Sequence, residues 1–381
     1  MIRRGPLFAW LCCVTVGVSG CGVPDISALR PQVSKPSALV YLAGNLPGWT
    51  PNTVEGAAAS EQVVTLVKDV SQPGWGSALQ RDVMGAQTPL FVLVQDGPVT
   101  SGDLQLAQQF PQRKFLFVGS QMQGRAVPQN AQVVVPNPGM SSYLLGWLAG
   151  ASAAKFQLAS NSSGTLAGTP LGNSASGLLP GGTIPGPSVG SIGTGVPLGW
   201  AQGGTPQVSV GAIQSALVGG LAATSTVHPV SVQLTGTQTG SALPQMIVGM
   251  PKVIVADRAL TVAEWAQIKT VGAMLVSLCP QPLQGPGWMA SPMLPSPQVA
   301  LQSLQQLGQS STPWQGGGIQ LVSNAVVQVN GAAVSQSLQN ELARLETNLQ
   351  THPVNFTAAW RTVPAAQRAA WQFLWLNAPP T

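Results

Sequence analysis

Pro89–Val94 reads PLFVLV, with no polar side chain in the run. It has counterparts on both sides: Ala38–Ala43 (ALVYLA), Gln62–Asp69 (QVVTLVKD), Arg113–Val118 (RKFLFV) and Ala131–Val135 (AQVVV). Apolar runs this short and continuous fit strands buried on both faces. The stretches between them have helix character. Thr53–Glu61 and Gly76–Gly85 are compatible with helices, and Ser101–Phe110 places Leu104, Ala107 and Phe110 on one face. Strand and helix in regular alternation predict an α/β chain with parallel sheets covered on both sides.

The rhythm breaks over Ala159–Gln207, where Gly, Ser, Thr and Pro dominate and no charge occurs. That composition reads as an insertion or flexible surface excursion, with a functional lid as the alternative. Alternation resumes with a strand and helix in Gln207–Ala223, then strands in Val230–Leu234 and Met246–Ala256. Thr261–Val271 is a helix with Thr261 as N-cap and Glu264 completing a capping box. Gly272–Leu278 is a further buried strand and Gln298–Leu307 is helical. Ile319–Val329 reads as a hairpin or bent strand pair around Ser323-Asn324. Ser337–Leu349 sets Leu338, Leu342, Leu345 and Leu349 on one stripe.

The two ends carry different signals. Arg3 and Arg4, the apolar run Leu7–Val18 and the small residues before Cys21 make a secretory signal peptide. The run is short for a spanning helix, which needs about 20 residues. The cysteine directly after the small residues resembles a bacterial lipoprotein signal, with Cys21 as lipidation site; the alternative is an ordinary signal peptide or an uncleaved anchor with Cys21 incidental. The expected location is the extracytoplasmic face of the cell membrane, held by a lipid anchor. At the other end Trp360, Trp371, Phe373 and Trp375 lie close together, and Pro364 can start the last helix. The simpler reading packs them on the body of the protein; the alternative sets them at a membrane or partner.

With 381 residues the chain is long enough for two lobes. Only 7% of residues are charged, against about 25% in ordinary soluble domains. Gln, Ser, Thr, Asn and Gly must cover the surface. Such a surface suits an acidic exterior, where carboxylates with a pKa near ~4 lose their charge and ion pairs fail. The net charge of +5 is scattered, so nucleic-acid binding has no support. Cys12 and Cys13 fall in the leader, Cys21 would carry lipid and Cys279 stands alone, so no intrachain disulfide is expected. No Cys-x-x-Cys spacing exists and His228 and His352 are far apart, so neither metal nor cofactor is expected. Catalysis is not expected either. No nucleophile elbow with a partner histidine is visible, and Gly316-Gly317-Gly318 is a turn, not a phosphate loop. Asp257-Arg258 fits a structural ion pair at a strand end.

Three places carry a family likeness: Val133–Gly150 (VVVPNPGMSSYLLGWLAG), Gly48–Gly56 (GWTPNTVEG), and Met293–Val329 with its Trp314-Gln315-Gly316-Gly317 turn. Over roughly 37–350 the chain resembles the basic membrane protein family of substrate-binding lipoproteins, whose best-known branch is the purine nucleoside receptor. The resemblance implies a type I periplasmic-binding fold: two parallel-sheet lobes with a cleft between them. It implies a solute-binding protein of an ABC-type importer, with a permease as partner and a nucleoside or other neutral small solute as ligand. The divisions are a leader (1–20), tether (21–36), first lobe (37–136) and second lobe (137–292) containing the 159–207 excursion. Crossover segments and a closing helix (293–350) and the aromatic tail (351–381) follow.

By that resemblance Trp49 stands where the family stacks an aromatic ring on the base, and Thr50 where it has an asparagine. Asn45 lies in the loop where the family has aspartates. Asp96, with Gln95 beside it, is the carboxylate expected at the cleft edge; the alternative is a turn residue in Asp96-Gly97-Pro98. The departures are plain. Gly44–Gly48 has no carboxylate, Met140 replaces an acid, Leu278-Cys279-Pro280-Gln281 replaces a pair of aspartates, and no lysine stands near Pro295–Pro297. The alternative reading is a degenerate receptor acting as a sensor or envelope interaction protein.

Overall fold

The computed structural model describes residues 37–374 apart from 45, 71–74, 86–89, 124–125, 163–194, 203–205, 235–250, 281–284, 305–313 and 315. The leader, Cys21, the tether, Asn45, Trp375 and most of the Gly/Ser/Pro excursion therefore lie outside the described residues.

The first sheet is built from β1 (Ser37–Ala43), β2 (Val64–Asp69), β3 (Leu90–Gln95), β4 (Lys114–Val118) and β5 (Ala131–Pro136). The late strand β11 (Gly318–Val322) joins it, and all neighbours run parallel in the order β2-β1-β3-β4-β5-β11. Helix α1 (Pro51–Ser60) and, much later in the chain, α7 (Pro297–Leu301) cover one face; α2 (Trp75–Gly85) and α3 (Ser101–Gln109) cover the other. Sequence dictates this directly. β1 and β3 are apolar at nearly every position, so both faces must be buried. Phe91, Phe115 and Phe117 stack across β3 and β4 at centroid distances of 5.7 and 5.9 Å. Burying each such ring is worth about 1.5–3 kcal/mol.

The second sheet repeats the plan with β6 (Val196–Gln202), β7 (Val227–Gln233), β8 (Val253–Ala256), β9 (Met274–Ser277), β10 (Trp288–Pro292) and β12 (Val327–Val329). Its order is β7-β6-β8-β9-β10-β12, parallel except for β12, which runs antiparallel to β10. Helices α4 (Pro138–Ser162), α5 (Val210–Thr224) and α8 (Gln336–Thr351) pack on one face, α6 (Val262–Thr270) on the other. α4 and α5 touch backbone to backbone. A Cβ on Gly146 would lie 1.8 Å from the Ala216 carbonyl, and one on Gly219 2.0 Å from that of Tyr143. Tyr143 sits in this interface, and burial pushes its phenol up to about 12. Short α9 (Phe356–Thr362) and α10 (Ala365–Ala370) close the same core, with Trp360, Trp371 and Leu374 buried in it. Those tryptophans are thus unavailable to a membrane or partner.

The two cores share no residue, and the chain passes between the sheets at three places: after β5, after β10 and between β11 and β12. This is a type I periplasmic-binding architecture, two α/β lobes joined by crossing segments. The crossings are bonded to one another. Asn137 N–H donates to the Val322 carbonyl at 2.7 Å and Met293 N–H to that of Val326 at 2.9 Å. Helix α8 braces them: Glu346 accepts from Val326 N–H, and Gln350 donates to the Ser323 carbonyl.

Three local expectations need correction. β6 lies inside the stretch read as an excursion, because Pro197 and Gly199 imitate loop composition. In the sheet Gly199 is wedged where a Cβ would meet Ile254 and Val232 at 3.0 and 3.1 Å, and neighbouring Trp200 is fully buried. Ile319–Val329 is no hairpin. β11 pairs with β5 in one lobe and β12 with β10 in the other, so the Ser323-Asn324 bend is a crossing. The β10 strand, short and ending on a proline, was not expected at all. Among the described residues no helix is long and apolar enough to cross a membrane.

Candidate functional site

All three crossings join the carboxyl edges of the two sheets, so those edges face each other. In sheets of the order 2-1-3-4-5 a ligand crevice forms where the winding reverses, beyond the first and third strands of the order. In the first lobe that point lies between the ends of β1 and β3, at Gly44 and Asp96. In the second it lies between the ends of β6 and β8, at Gln202 and Asp257-Arg258. Each lobe thus sets an aspartate immediately after the equivalent strand.

The first-lobe aspartate is half-buried and, among the described residues, has no hydrogen-bond or ion-pair partner. Its carboxylate lies over Gly44. A Cβ on Gly44 would come 2.7 Å from the carboxylate carbon, and the glycine's φ of +104° is one that side-chain-bearing residues avoid. Gly44 is therefore the residue that lets Asp96 sit where it does.

The second-lobe aspartate is used internally. Asp257 is buried and accepts from the Trp200 indole N–H at 2.9 Å. Burial raises its carboxyl above the usual carboxylate range, against the lowering effects of the Trp200 bond and nearby Arg258. Arg258 pairs with Glu264, not with Asp257 as a simple strand-end pair would have it. Both guanidinium amines reach Glu264, at 2.6 and 3.1 Å, and one also donates to the Gln202 carbonyl. Burial pushes Glu264 up, but bonds from Arg258, Thr261 N–H and the Thr261 hydroxyl outweigh it and hold the carboxyl low. The expected capping box at Thr261 is present and doubles as the anchor of Arg258. The Cys279 thiol donates to the Asp257 carbonyl at 3.3 Å, and burial pushes that thiol up.

The other expected contacts fall elsewhere. Trp49 is 4% exposed, lies in the first-lobe core, and donates its indole N–H to the Pro295 carbonyl at 3.0 Å. That is a correction: the ring ties a crossing segment to the start of α1 and offers little face for stacking. Thr50 forms a capping box with Thr53, so its hydroxyl is occupied at the helix start. Gln95 donates to the Pro98 carbonyl and to Asp103, within the turn and cap before α3. Asn45 lies outside the described residues. Met140 is core. Of the described members of the expected set, only Asp96 keeps an open polar atom at the crevice. Among the described residues no group of three or more His, Cys, Asp or Glu gathers as a metal site.

Sequence reasoning missed Gln121 and Gln207, which meet across the two edges, the Gln121 amide donating to the Gln207 carbonyl at 2.5 Å. Nothing local marks them, since loop glutamines are common in this chain.

No protein-family model and no curated protein sequence matches the chain. Among solved structures it is similar to an ABC transporter solute-binding protein from Conexibacter woesei, at 13% identity and TM-score 0.48, over 84% of this chain and 99% of that one. It is also similar to a periplasmic solute-binding protein from Actinobacillus succinogenes with bound D-allose, at 12% identity and TM-score 0.43, over 80% of this chain and 100% of that one. The Lac repressor bound to ONPG gives 11% identity and TM-score 0.40, over 87% of this chain and 90% of that one. Transporter components and a repressor thus resemble the chain at much the same distance, and the architecture rests on its own strand order.

Proposed function

We propose that the chain is a membrane-tethered solute-binding protein of an ABC-type importer. Its ligand is a small neutral solute that donates hydrogen bonds to Asp96. The observation that carries this is the Asp96 carboxylate, held over Gly44 at the reversal point of the first lobe with no partner among the described residues. A half-buried acceptor with no protein donor among the described residues is free to take one from a ligand, and a hydrogen bond to a charged group contributes more than a neutral one. Hydroxyl-rich solutes, nucleosides among them, have the required chemistry. The leader and Cys21 support tethering outside the cytoplasmic membrane, beside a permease.

The test is a calorimetric and thermal-shift panel of nucleosides, pentoses, hexoses and polyols on wild type and Asp96→Asn. At least one solute should bind wild type, and Asp96→Asn should weaken it by about tenfold to a hundredfold, the worth of a charged hydrogen bond. Trp49→Ala is a poor probe, because it empties a core position. Binding indifferent to Asp96→Asn would sink the assignment. Silence across the panel would favour the second reading, a receptor-derived sensor or envelope interaction protein. The internal engagement of Asp257, Arg258 and Glu264 is the observation that speaks for it.

A further inference from the structure

The loops flanking the two reversal points are each fastened within their own lobe. In the first lobe, Ser120 N–H donates to the Gly97 carbonyl at 3.0 Å. Val99 N–H donates to that of Gln121 and Gln123 N–H to that of Val99, both at 2.8 Å. The segment after β4 is thus zipped to the loop carrying Asp96. In the second lobe, Gln207 N–H donates to the Asp257 carbonyl and Ala259 N–H to the Gln207 side-chain oxygen, both at 2.9 Å. From these segments the Gln121 side-chain amide donates to the Gln207 carbonyl, one group from each lobe.

We infer that Gln121 and Gln207 form a latch that closes the two lobes on each other without a ligand. Both ends are pre-ordered by backbone bonds, so forming the contact fixes only the Gln121 side chain. The usual entropic cost of an exposed polar contact is therefore reduced. Neither partner is ionisable, so the latch is indifferent to pH, unlike an ion pair. It joins the segments bonded to the Asp96 and Asp257 loops, which means a ligand entering the crevice meets an edge already closed there. This goes beyond the proposed function and holds whether or not the crevice takes a solute.

Single-molecule energy transfer tests it in the full chain, with dyes placed through an encoded non-natural residue at exposed Glu55 and Val262, one on each lobe. Ligand-free wild type should populate mainly the high-efficiency, closed state. Gln121→Ala should raise the open-to-closed ratio about twofold to tenfold, as one neutral hydrogen bond allows. Gln121→Glu, which sets a carboxylate against a carbonyl, should raise it further. The Gln121 side chain makes no bond within its own lobe among the described residues, so both variants should melt like wild type. A wild type that is open without ligand, or folded variants with an unchanged ratio, would overturn the latch.

Discussion

Asp96 and Asp257 hold the same place in two sheets of the same order, each directly after the strand at the reversal of winding. Their environments are opposite. Asp257 is buried under Trp200, beside an Arg258–Glu264 pair whose side chains are only 8% and 6% exposed. Asp96 is half-buried, partnerless among the described residues, and supported by nothing more than the missing side chain of Gly44. One edge consumes its charges to hold its own loops; the other leaves a charge over. Equivalent positions in repeated topology therefore carry no equivalent role, and a binding assignment must be made lobe by lobe.

The contrast can be broken most severely from the second lobe. Glu264→Ala takes the bidentate carboxylate away from the buried Arg258 guanidinium and removes the capping box of α6, and should cost about 3–5 kcal/mol in urea denaturation. Hydrogen exchange should quicken first across Asp257–Glu264. If the variant melts within the error of wild type, the pair is not what holds that edge. In the first lobe, Gly44→Ala forces a strained φ and drives the new methyl into the Asp96 carboxylate. A loss of about 1–3 kcal/mol is expected, with weaker solute binding as a second readout; unchanged stability would mean that Asp96 swings away freely.

The smallest effect is expected from Asp257→Asn, which keeps an acceptor for Trp200 but cannot ionise. Burial raises the Asp257 carboxyl, so the folded chain takes up a proton before the unfolded chain does. Wild type should accordingly gain stability relative to the variant as pH falls from neutral through the raised value. Once the unfolded carboxyl is protonated too, the gain should level off. Glu264, held low, works in the opposite direction: its contribution is present above the ordinary carboxylate range and lost as pH falls through its folded value. Denaturation midpoints from pH 3 to 7 would show the two signs. A pH-independent difference between wild type and Asp257→Asn would remove the assigned cause.

Much of the fold is visible in the residues themselves. Continuous apolar runs such as LFVLV and the Thr261–Glu264 box act locally, through burial of both strand faces and through bonds spanning three residues. Where local composition misleads, the cause is tertiary. Pro197 and Gly199 look like loop residues until β7 and β8 flank them, and the Ser323 bend looks like a hairpin until its strands are seen in different lobes. The candidate site was less legible. Trp49, Thr50 and Gln95 are the right kinds of residue for a ligand, yet each is engaged by a cap, a turn or a crossing segment.

By itself the sequence determined two parallel α/β units, a surface poor in charge and the helix starts, because each depends on neighbours within a few positions. The tertiary structure alone decided which aspartate stays open and where the lobes touch. The partners that settle those questions lie 57 residues away for Asp257 and Trp200, and 86 for Gln121 and Gln207. No local pattern of residues records a hydrogen bond made across such a distance.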